Sequence, residues 1–342
     1  MINSKKFRYI VILIVVLLLF ILNGCSKPIN IPENSVTYVS YANGDYTIYF
    51  IDPTTAKTLD SVKIGEGYGD RLFKDTDGNF WAPLQFKPDS TNAENRVLIF
   101  DPKGGKTKDI KVGLHPFSVN FIGDFKYIVC IEDGFTPNVY RFNNELKGGK
   151  YLKMPDLGLI FDVTQNKDNL YIASLVTKKD KQLPMLTKVN LKNKTIHSKL
   201  VSKESKGISN ILFFNNKLYL GMEDPIKTVT VFDPNSLNEV GKLDYTEPMV
   251  GELQRYNNDE ILITNYSRLL SKGGKITFYS LSKNKVLRSF DTKSLAEHVS
   301  VIHNKLYIVD NTNNKMYIYD LNGKLLNEVD IPTMVTNLMS YK

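Results

Sequence analysis

A short β-rich segment recurs along the chain, and this repeat restricts the fold more than any other feature. Residues 207–244 read as four short strands separated by turns. Asn215-Asn216 separates the first two strands, and this pair tolerates the positive φ that a tight hairpin needs. The third strand stops at Asp233-Pro234, because proline has no N–H to donate to a central ladder. The segment predicts one four-stranded unit of an antiparallel meander.

The third strand of this unit identifies the other copies. It recurs seven times, at residues 48–51, 98–100, 139–142, 186–189, 229–232, 276–279 and 316–319. A period of roughly forty to fifty residues with four strands per period is typical of a β-propeller. The sequence therefore predicts an all-β fold, a seven-bladed β-propeller of four-stranded antiparallel blades.

The two ends of the repeat region indicate how the ring closes. The first unit begins at its second strand, residues 36–41, and a spare strand, residues 336–341, follows the seventh unit. We expect this C-terminal strand to complete the first blade, which removes the free edge of an open array. The propeller domain is predicted to span residues 35–342, with one large core.

The first 24 residues have the pattern of a secretory signal. A basic start is followed by an apolar run over residues 10–22, about thirteen residues against the roughly twenty that a spanning helix needs. Leu22-Asn23-Gly24-Cys25 resembles the lipobox of bacterial lipoproteins, which implies cleavage before Cys25, diacylglycerol transfer to its thiol and usually N-acylation, with palmitate as a typical chain. An uncleaved anchor helix is the alternative. Both place the protein at the cell membrane, facing outside the cytoplasm.

Residues 25–34 follow as a short lipidated tether. Pro28 and Pro32 favour an extended backbone there. Loss of the three basic residues of the signal leaves 41 basic against 36 acidic residues, a net charge of +5. This charge is mild, and no run of five or more basic residues occurs, so nucleic acid is not an expected partner. Weak attraction to anionic lipid headgroups or wall polymers is compatible with it.

Motifs of common enzyme classes are absent from the sequence. It has no P-loop, Gly-x-Ser-x-Gly elbow, His-Glu-x-x-His or Cys-x-x-Cys motif. Asp75-Thr76-Asp77-Gly78-Asn79 imitates the start of a calcium loop, but its twelfth position is Phe86, so we predict a hairpin turn. Cys130 lies in an apolar strand and is predicted to be a packed, unreactive cysteine.

One polar residue recurs near the start of each first strand. In a propeller the first strands line the central channel and begin on one face, so these side chains are predicted to form a ring around a channel mouth. The ring comprises Arg71, Ser118, Asp162, Asn210, Glu252, His298 and Asn337. One interpretation is a polar channel lining in which each side chain caps backbone groups. The other is a ligand-binding site.

The residue types of the ring suit two kinds of ligand. Asp162, Asn210 and Glu252 are oxygen ligands for a divalent cation, and His298 can serve as ligand or general base. Arg71 could hold a carboxylate or phosphate. Three longer connections, residues 87–95, 176–184 and 267–275, are predicted as loops on the same face. Two of them have basic tips that would bind an acidic partner or remain solvated, with Lys178, Lys179, Lys181, Arg268, Lys272 and Lys275.

These repeats carry a family resemblance. Gly113-Leu114-His115-Pro116-Phe117 followed by Tyr127-Ile128-Val129, together with the Phe-Asp-Pro strand endings, resembles the YVTN-type repeats of surface-layer and secreted propellers in the quinoprotein-amine-dehydrogenase-like group. The resemblance implies a seven-bladed fold and an extracytoplasmic binding role, and it supplies no catalytic residue. A quinone cofactor is not expected, because Trp81 is the only tryptophan and no cysteine pair exists.

The sequence therefore predicts a membrane-anchored, monomeric lipoprotein whose propeller binds a small ligand or an envelope protein through the ring and loops. The alternative is a metal-assisted hydrolase of lactonase type, with a divalent cation near Asp162, Asn210 and Glu252 and His298 as general base. A passive envelope spacer is a third possibility that needs no site. No sequence feature identifies an enzyme, and fold alone does not specify a ligand.

Overall fold

The computed structural model describes residues 31–341 except 70, 90, 104, 133–134, 179, 204–206, 224–227, 246, 248–249, 268–271 and 337. The predicted signal peptide, the lipidation site Cys25, most of the tether and Asn337 therefore lie outside the described residues. Where the chain is described, no helix is long and apolar enough to cross a membrane.

Within the described residues, twenty-eight strands build seven antiparallel sheets of four strands each, which confirms the predicted seven-bladed propeller. The strands of the first three blades are β1 (Val36–Ser40), β2 (Asp45–Ile51), β3 (Thr58–Glu66), β4 (Phe73–Lys74), β5 (Phe80–Phe86), β6 (Ala93–Asp101), β7 (Lys106–Lys111), β8 (Pro116–Ile122), β9 (Phe125–Glu132), β10 (Thr136–Phe142) and β11 (Gly148–Lys153). A 3-10 turn, Ala42–Gly44, separates β1 from β2.

The remaining blades continue in chain order. Blades four and five contain β12 (Leu159–Asn166), β13 (Asn169–Lys178), β14 (Lys181–Asn190), β15 (Thr195–Leu200), β16 (Gly207–Phe214), β17 (Lys217–Glu223), β18 (Thr228–Phe232) and β19 (Glu239–Lys242). Blades six and seven contain β20 (Val250–Arg255), β21 (Glu260–Ser267), β22 (Lys272–Ser280), β23 (Lys285–Asp291), β24 (His298–Ile302), β25 (Lys305–Asp310), β26 (Lys315–Asp320) and β27 (Leu325–Asp330).

The last strand, β28 (Met339–Ser340), closes the ring. It pairs antiparallel with β1, so that Ser340 lies opposite Val36 and Met339 opposite Thr37. The backbone N–H of Tyr341 extends this pairing by donating to the Ser35 carbonyl at 2.8 Å. The predicted closure by the C-terminal strand is thus confirmed, and blade one has the order β28-β1-β2-β3.

In the part of the chain that the structure describes, the hydrophobic core is divided into seven clusters, one between each pair of neighbouring blades. Between blades two and three, for example, Trp81 and Val97 pack with Val119 and Ile128. One large core was expected, but a four-stranded blade has two faces and buries each against a different neighbour. Apolar burial therefore stabilises the ring at seven separate interfaces.

Each third strand ends at a short polar residue that accepts hydrogen bonds from the following turn. The Oδ1 of Asp52 accepts the N–H groups of Thr54 at 2.6 Å and Thr55 at 3.1 Å. The equivalent acceptors are Asp101, Asn143, Asn190, Asp233, Ser280 and Asp320. The predicted strand ends are confirmed, and this side-chain capping accounts for them also in blades that lack the proline.

Two smaller predictions also concern local structure. Asp75 accepts the N–H groups of Asp77 at 3.0 Å and Asn79 at 2.9 Å, and the Trp81 Nε1 at 2.9 Å, so the calcium-like sequence forms a turn. Cys130 is fully buried, and burial raises the pKa of its thiol well above the ordinary value. The predicted turn and the packed setting of Cys130 are confirmed, and its lack of reactivity stays a prediction.

The propeller has two faces, defined by the direction of the first strands. We call the face where these strands begin the ring face, and the other the opposite face. The strand β1 runs antiparallel to the first strand β28, so it begins on the opposite face, next to Tyr341. Ile31 is buried there between blades one and two. The described part of the chain therefore begins on the opposite face.

Candidate functional site at the channel mouth

Four consecutive first strands carry a β-bulge at the predicted ring. The register shifts between Pro116 and Ser118 in β8 and between Ile160 and Asp162 in β12. The same shift recurs in β16 and β20, around Asn210 and Glu252. A bulge leaves a residue unpaired and redirects neighbouring side chains, and bulges are frequent next to functional sites. The repeated bulge determines which side chains meet at the channel mouth.

Asp162 is the centre of the network. Its Oδ1 accepts Arg71 Nη1 at 2.8 Å and the Val163 N–H at 2.9 Å. Its Oδ2 accepts Asn210 Nδ2 at 2.6 Å and the Ile211 N–H at 3.1 Å. The side chains of Asp162 and Arg71 are 12% and 24% exposed, so this ion pair is largely shielded from water.

Arg71 reaches from blade two to blade four, past the blade between them. Its guanidinium lies 4.1 Å from the centroid of the Phe117 ring of blade three. It also donates from Nη2 to the Phe161 carbonyl at 2.9 Å. Cation–π stacking and two hydrogen bonds hold the guanidinium in one orientation. The ion pair thus links blades that are not neighbours in the ring.

The network continues into blades six and seven. The Oδ1 of Asn210 accepts the Leu253 N–H at 3.0 Å. On blade six, the Oε1 atom of Glu252 lies 3.2 Å from the Nδ1 atom of His298. The Oε2 atom of Glu252 accepts a hydrogen bond from Gln254 Nε2 at 3.0 Å. Gln254 in turn donates to the Val299 carbonyl of blade seven. Five of the seven predicted ring residues take part in these contacts, namely Arg71, Asp162, Asn210, Glu252 and His298. They belong to blades two, four, five, six and seven.

Ser118 does not join this network. Its side chain is almost fully buried, and its hydroxyl oxygen accepts Asn120 Nδ2 at 3.1 Å within the same strand. The bulge explains the difference, because it presents the neighbouring Phe117 to Arg71 instead. Asn337 lies outside the described residues.

The oxygen atoms that were considered as metal ligands already accept hydrogen bonds. Both carboxylate oxygens of Asp162 and the amide oxygen of Asn210 accept hydrogen bonds from protein donors. The Arg71 guanidinium, whose Nη1 lies 2.8 Å from Asp162 Oδ1, would also repel a metal ion there. No group of three or more His, Cys, Asp or Glu side chains suited to a metal occurs in the described part of the chain. The geometry is that of an ion pair within a hydrogen-bond network.

The sequence did not indicate three contributors to the site. Phe117, the Phe161 carbonyl and Gln254 join it only because the bulges shift the register. A weak signal existed, since an aromatic residue directly precedes the ring residue in blades three and four. That pattern alone does not distinguish a stacked arginine from core packing.

One of the three longer connections is a strand extension. The strands β13 and β14 remain paired up to Lys178 and Lys181, so the connection predicted as a loop over residues 176–184 is an extended hairpin. Its two described tip lysines are exposed. On blade six, Lys275 Nζ lies 2.9 Å from Glu247 Oε1. Lys179 and Arg268 lie outside the described residues.

Exposed apolar side chains stand on the ring face. Leu114, Phe135, Leu159 and Met334 are between 42% and 50% exposed. The first three flank blade three, and a hydrogen bond from the Leu157 N–H to the Phe135 carbonyl at 3.3 Å joins two of their loops. We call Leu114, Phe135 and Leu159 the apolar rim.

No family model and no curated protein sequence matches the chain, but solved propeller structures do. The chain is similar to dihydro-heme d1 dehydrogenase NirN in complex with DHE, with a TM-score of 0.58, 9% identity and coverage of 91% of this chain and 75% of that one. For apo AztD from Citrobacter koseri the TM-score is 0.53, the identity 12% and the coverage 89% and 96%. For BamB from Moraxella catarrhalis the TM-score is 0.54 and the identity 8%, and the match covers 88% of this chain and 89% of that one.

These similarities show a shared propeller fold. At such identities they transfer neither a ligand nor a reaction, because one architecture carries many functions.

Proposed function

We propose that this protein is a lipid-anchored, extracytoplasmic propeller that binds a protein partner through its ring face. The observation that carries the proposal is the apolar rim, which exposes Leu114, Phe135 and Leu159 beside a structured polar channel mouth. A contiguous exposed apolar patch that is bordered by polar residues is typical of a protein interaction site. The extracytoplasmic binding role is also what the YVTN-type repeat resemblance would imply.

The proposed anchor would orient this surface away from the membrane. Lipid on Cys25 would be separated from Ile31 by six residue steps, which span at most about 20 Å when extended. Because residue 31 joins the opposite face, that face would lie against the bilayer. The ring face would then remain open to partners in the envelope.

The chemistry of the ring face favours a partner segment with an apolar side chain next to a polar one. Phe135 and its neighbours would bury the apolar group, and the channel mouth offers the carboxylate of Glu252 and the imidazole of His298 to the polar one. Aromatic residues at the centre of such contacts contribute most of the binding free energy. A lactonase-type reaction has no comparable support, since Asp162 and Asn210 are hydrogen-bonded to each other and Glu252 is bound to Gln254 and His298.

Photo-crosslinking in cells tests the partner surface. A photoreactive amino acid would replace Phe135 or Leu159, with Leu326, an exposed residue near the opposite face, as the matched control. We expect a specific crosslinked protein from positions 135 and 159 that is absent from position 326, and we expect Phe135→Ser to abolish the crosslink from position 159. Crosslinks from position 326 alone would move the interface to the other face.

The anchor has its own test. We expect Cys25→Ala to prevent incorporation of a labelled palmitate analogue and to release the mature protein from the membrane fraction. Unchanged labelling and fractionation would refute the lipid anchor without affecting the crosslinking result.

A further inference from the structure

A basic pocket lies on the opposite face, below blade three. It is formed where β9 begins, β10 ends and β11 begins, and it has a volume of about 290 Å³. Its walls include Phe125, Arg141, Lys147, Gly149 and Tyr151. No carboxylate side chain lines it. The channel-mouth network on the ring face does not include any of these residues.

Arg141 is held between two aromatic rings. Its guanidinium carbon lies 4.7 Å from the centroid of Phe125 and 4.3 Å from that of Tyr151. Burial raises the pKa of Tyr127, and the nearby Arg141 cation partly offsets this rise. Stacking of this kind fixes the plane of the guanidinium and leaves its edge available for a planar pair of hydrogen bonds to an oxyanion.

Among the described residues, Arg141 has no carboxylate within 4 Å, which distinguishes it from three arginines of the chain but not from Arg255, whose guanidinium donates to Asn258 Oδ1 at 2.7 Å. Arg71, Arg96 and Arg288 pair with Asp162, Glu94 and Glu260, respectively. A largely surrounded arginine without an anionic partner is an incomplete electrostatic arrangement. An external anion would complete it.

Further positive charge surrounds the pocket. Lys194 Nζ of blade four lies 4.4 Å from the Tyr151 ring centroid, so this ring contacts two cations. Lys147 pairs with Glu145, but both side chains are more than two-thirds exposed, and such pairs are weak enough to rearrange. Lys150 is already paired with Glu132 at 2.9 Å. Arg141 is therefore the cation that ring contacts hold in place, and Lys147 and Lys194 are exposed cations near it that can move toward a ligand.

The glycines of β11 shape the floor of the pocket. A Cβ at Gly148 would come within 1.9 Å of the Arg141 carbonyl oxygen, so this position excludes a side chain. A Cβ at Gly149 would meet nothing within 4 Å, so it would project into open space. A ligand can approach the backbone closely at Gly149, and a larger residue there would occupy the pocket without backbone strain.

We propose that this pocket binds the phosphate group of an organic phosphate ester. The phosphate would accept two parallel hydrogen bonds from Arg141 and would be attracted by the positive charge of Lys147. The alcohol part of the ester would contact Phe125 and Tyr151. The same chemistry occurs in a soluble phosphate ester and in the headgroup of an anionic phospholipid. If the ligand is a lipid headgroup, the proposal rests on the proposed anchor, which would bring the opposite face to the bilayer. Binding of a soluble phosphate ester does not depend on the anchor.

Binding to the purified full-length protein in detergent or nanodiscs tests the site. The probes are glycerol 3-phosphate, measured by isothermal titration calorimetry, and vesicles of phosphatidylcholine with or without phosphatidylglycerol, measured by flotation. Arg141→Gln removes the positive charge and the two parallel N–H donors of the guanidinium. Gly149→Leu fills the pocket and keeps the charge. Lys57→Gln, an exposed lysine in a turn of blade one on the same face, is the control that loses one charge outside the pocket.

We expect Arg141→Gln and Gly149→Leu each to weaken binding at least tenfold, the size of a lost charge-assisted hydrogen bond, and Lys57→Gln to change it less than twofold. Binding of glycerol 3-phosphate alone identifies a soluble ester as the source, and binding of phosphatidylglycerol vesicles alone identifies a lipid headgroup; either supports the site. No saturable binding of any probe, or equal loss in Lys57→Gln and Arg141→Gln, would overturn it. Cys25→Ala should leave glycerol 3-phosphate binding unchanged, which separates this result from the anchor.

Discussion

Asp162 should be the residue of the channel mouth whose loss destabilises the propeller most. Its carboxylate accepts four hydrogen bonds that connect blades two, four and five. Asp162→Ala removes them together and leaves Arg71, the Asn210 amide and the Ile211 N–H without this acceptor. Removing one partner of a buried ion pair costs about 3–5 kcal/mol, and we expect about 3 kcal/mol here because Arg71 keeps some contact with water.

This free energy can be converted to a change in melting temperature. With an unfolding entropy of about 2.1 cal/mol/K per residue, a propeller of roughly 300 residues has about 0.6 kcal/mol/K, so the Tm should fall by about 5 °C. Thermal unfolding followed by near-UV circular dichroism measures this directly. The matched control is Glu145→Ala, which removes an exposed ion-pair partner and should leave the Tm within 1 °C.

A double variant separates the ion pair from packing. Arg71→Met with Asp162→Leu replaces both charges by apolar side chains of similar size, and we expect it to recover part of the lost stability, because no charge is left without its partner. If Asp162→Ala lowers the Tm by less than 1 °C, the carboxylate does not hold the blades together and the reasoning is refuted.

Three further predictions concern other parts of the propeller. Native Cys130 should not react with a maleimide at pH 7.5, because burial raises the pKa of its thiol, and reaction should begin only on unfolding; labelling in the folded protein would contradict this. Burial raises the pKa of Glu132, but hydrogen bonds from Tyr140 and Lys150 lower it more, so its net pKa lies below the ordinary value. Its stabilisation is therefore complete above about pH 5 and decreases as the pH falls through its folded pKa, and Glu132→Gln should lower the Tm at pH 7 more than at pH 3. Deleting residues 338–342 removes β28 and exposes the edge of β1, and we expect a Tm lower by more than 10 °C with aggregation on heating; an unchanged Tm would show that the ring does not depend on this closure.

The ring residues show how far a sequence pattern leads to a site. Counting back from the second strands selected Arg71, Asp162 and Asn210, which hydrogen bonds join in the structure, because every blade repeats the same path. The count placed Ser118 there as well, where the bulge of β8 buries its side chain and presents Phe117. A bulge depends on how a strand packs against its partner strand and the neighbouring blade. The sequence of one strand does not determine that packing.

The sequence by itself determined the architecture of this protein. Alternating apolar residues, turn residues at regular spacing and a spare C-terminal strand are local properties, and they were sufficient for seven blades and for closure of the ring. Tertiary structure alone decided the pairing of Arg71 with Asp162 and the pocket around Arg141, since both depend on side chains from different strands or blades. Such contacts depend on three-dimensional distances and orientations, which residue spacing along the chain does not encode.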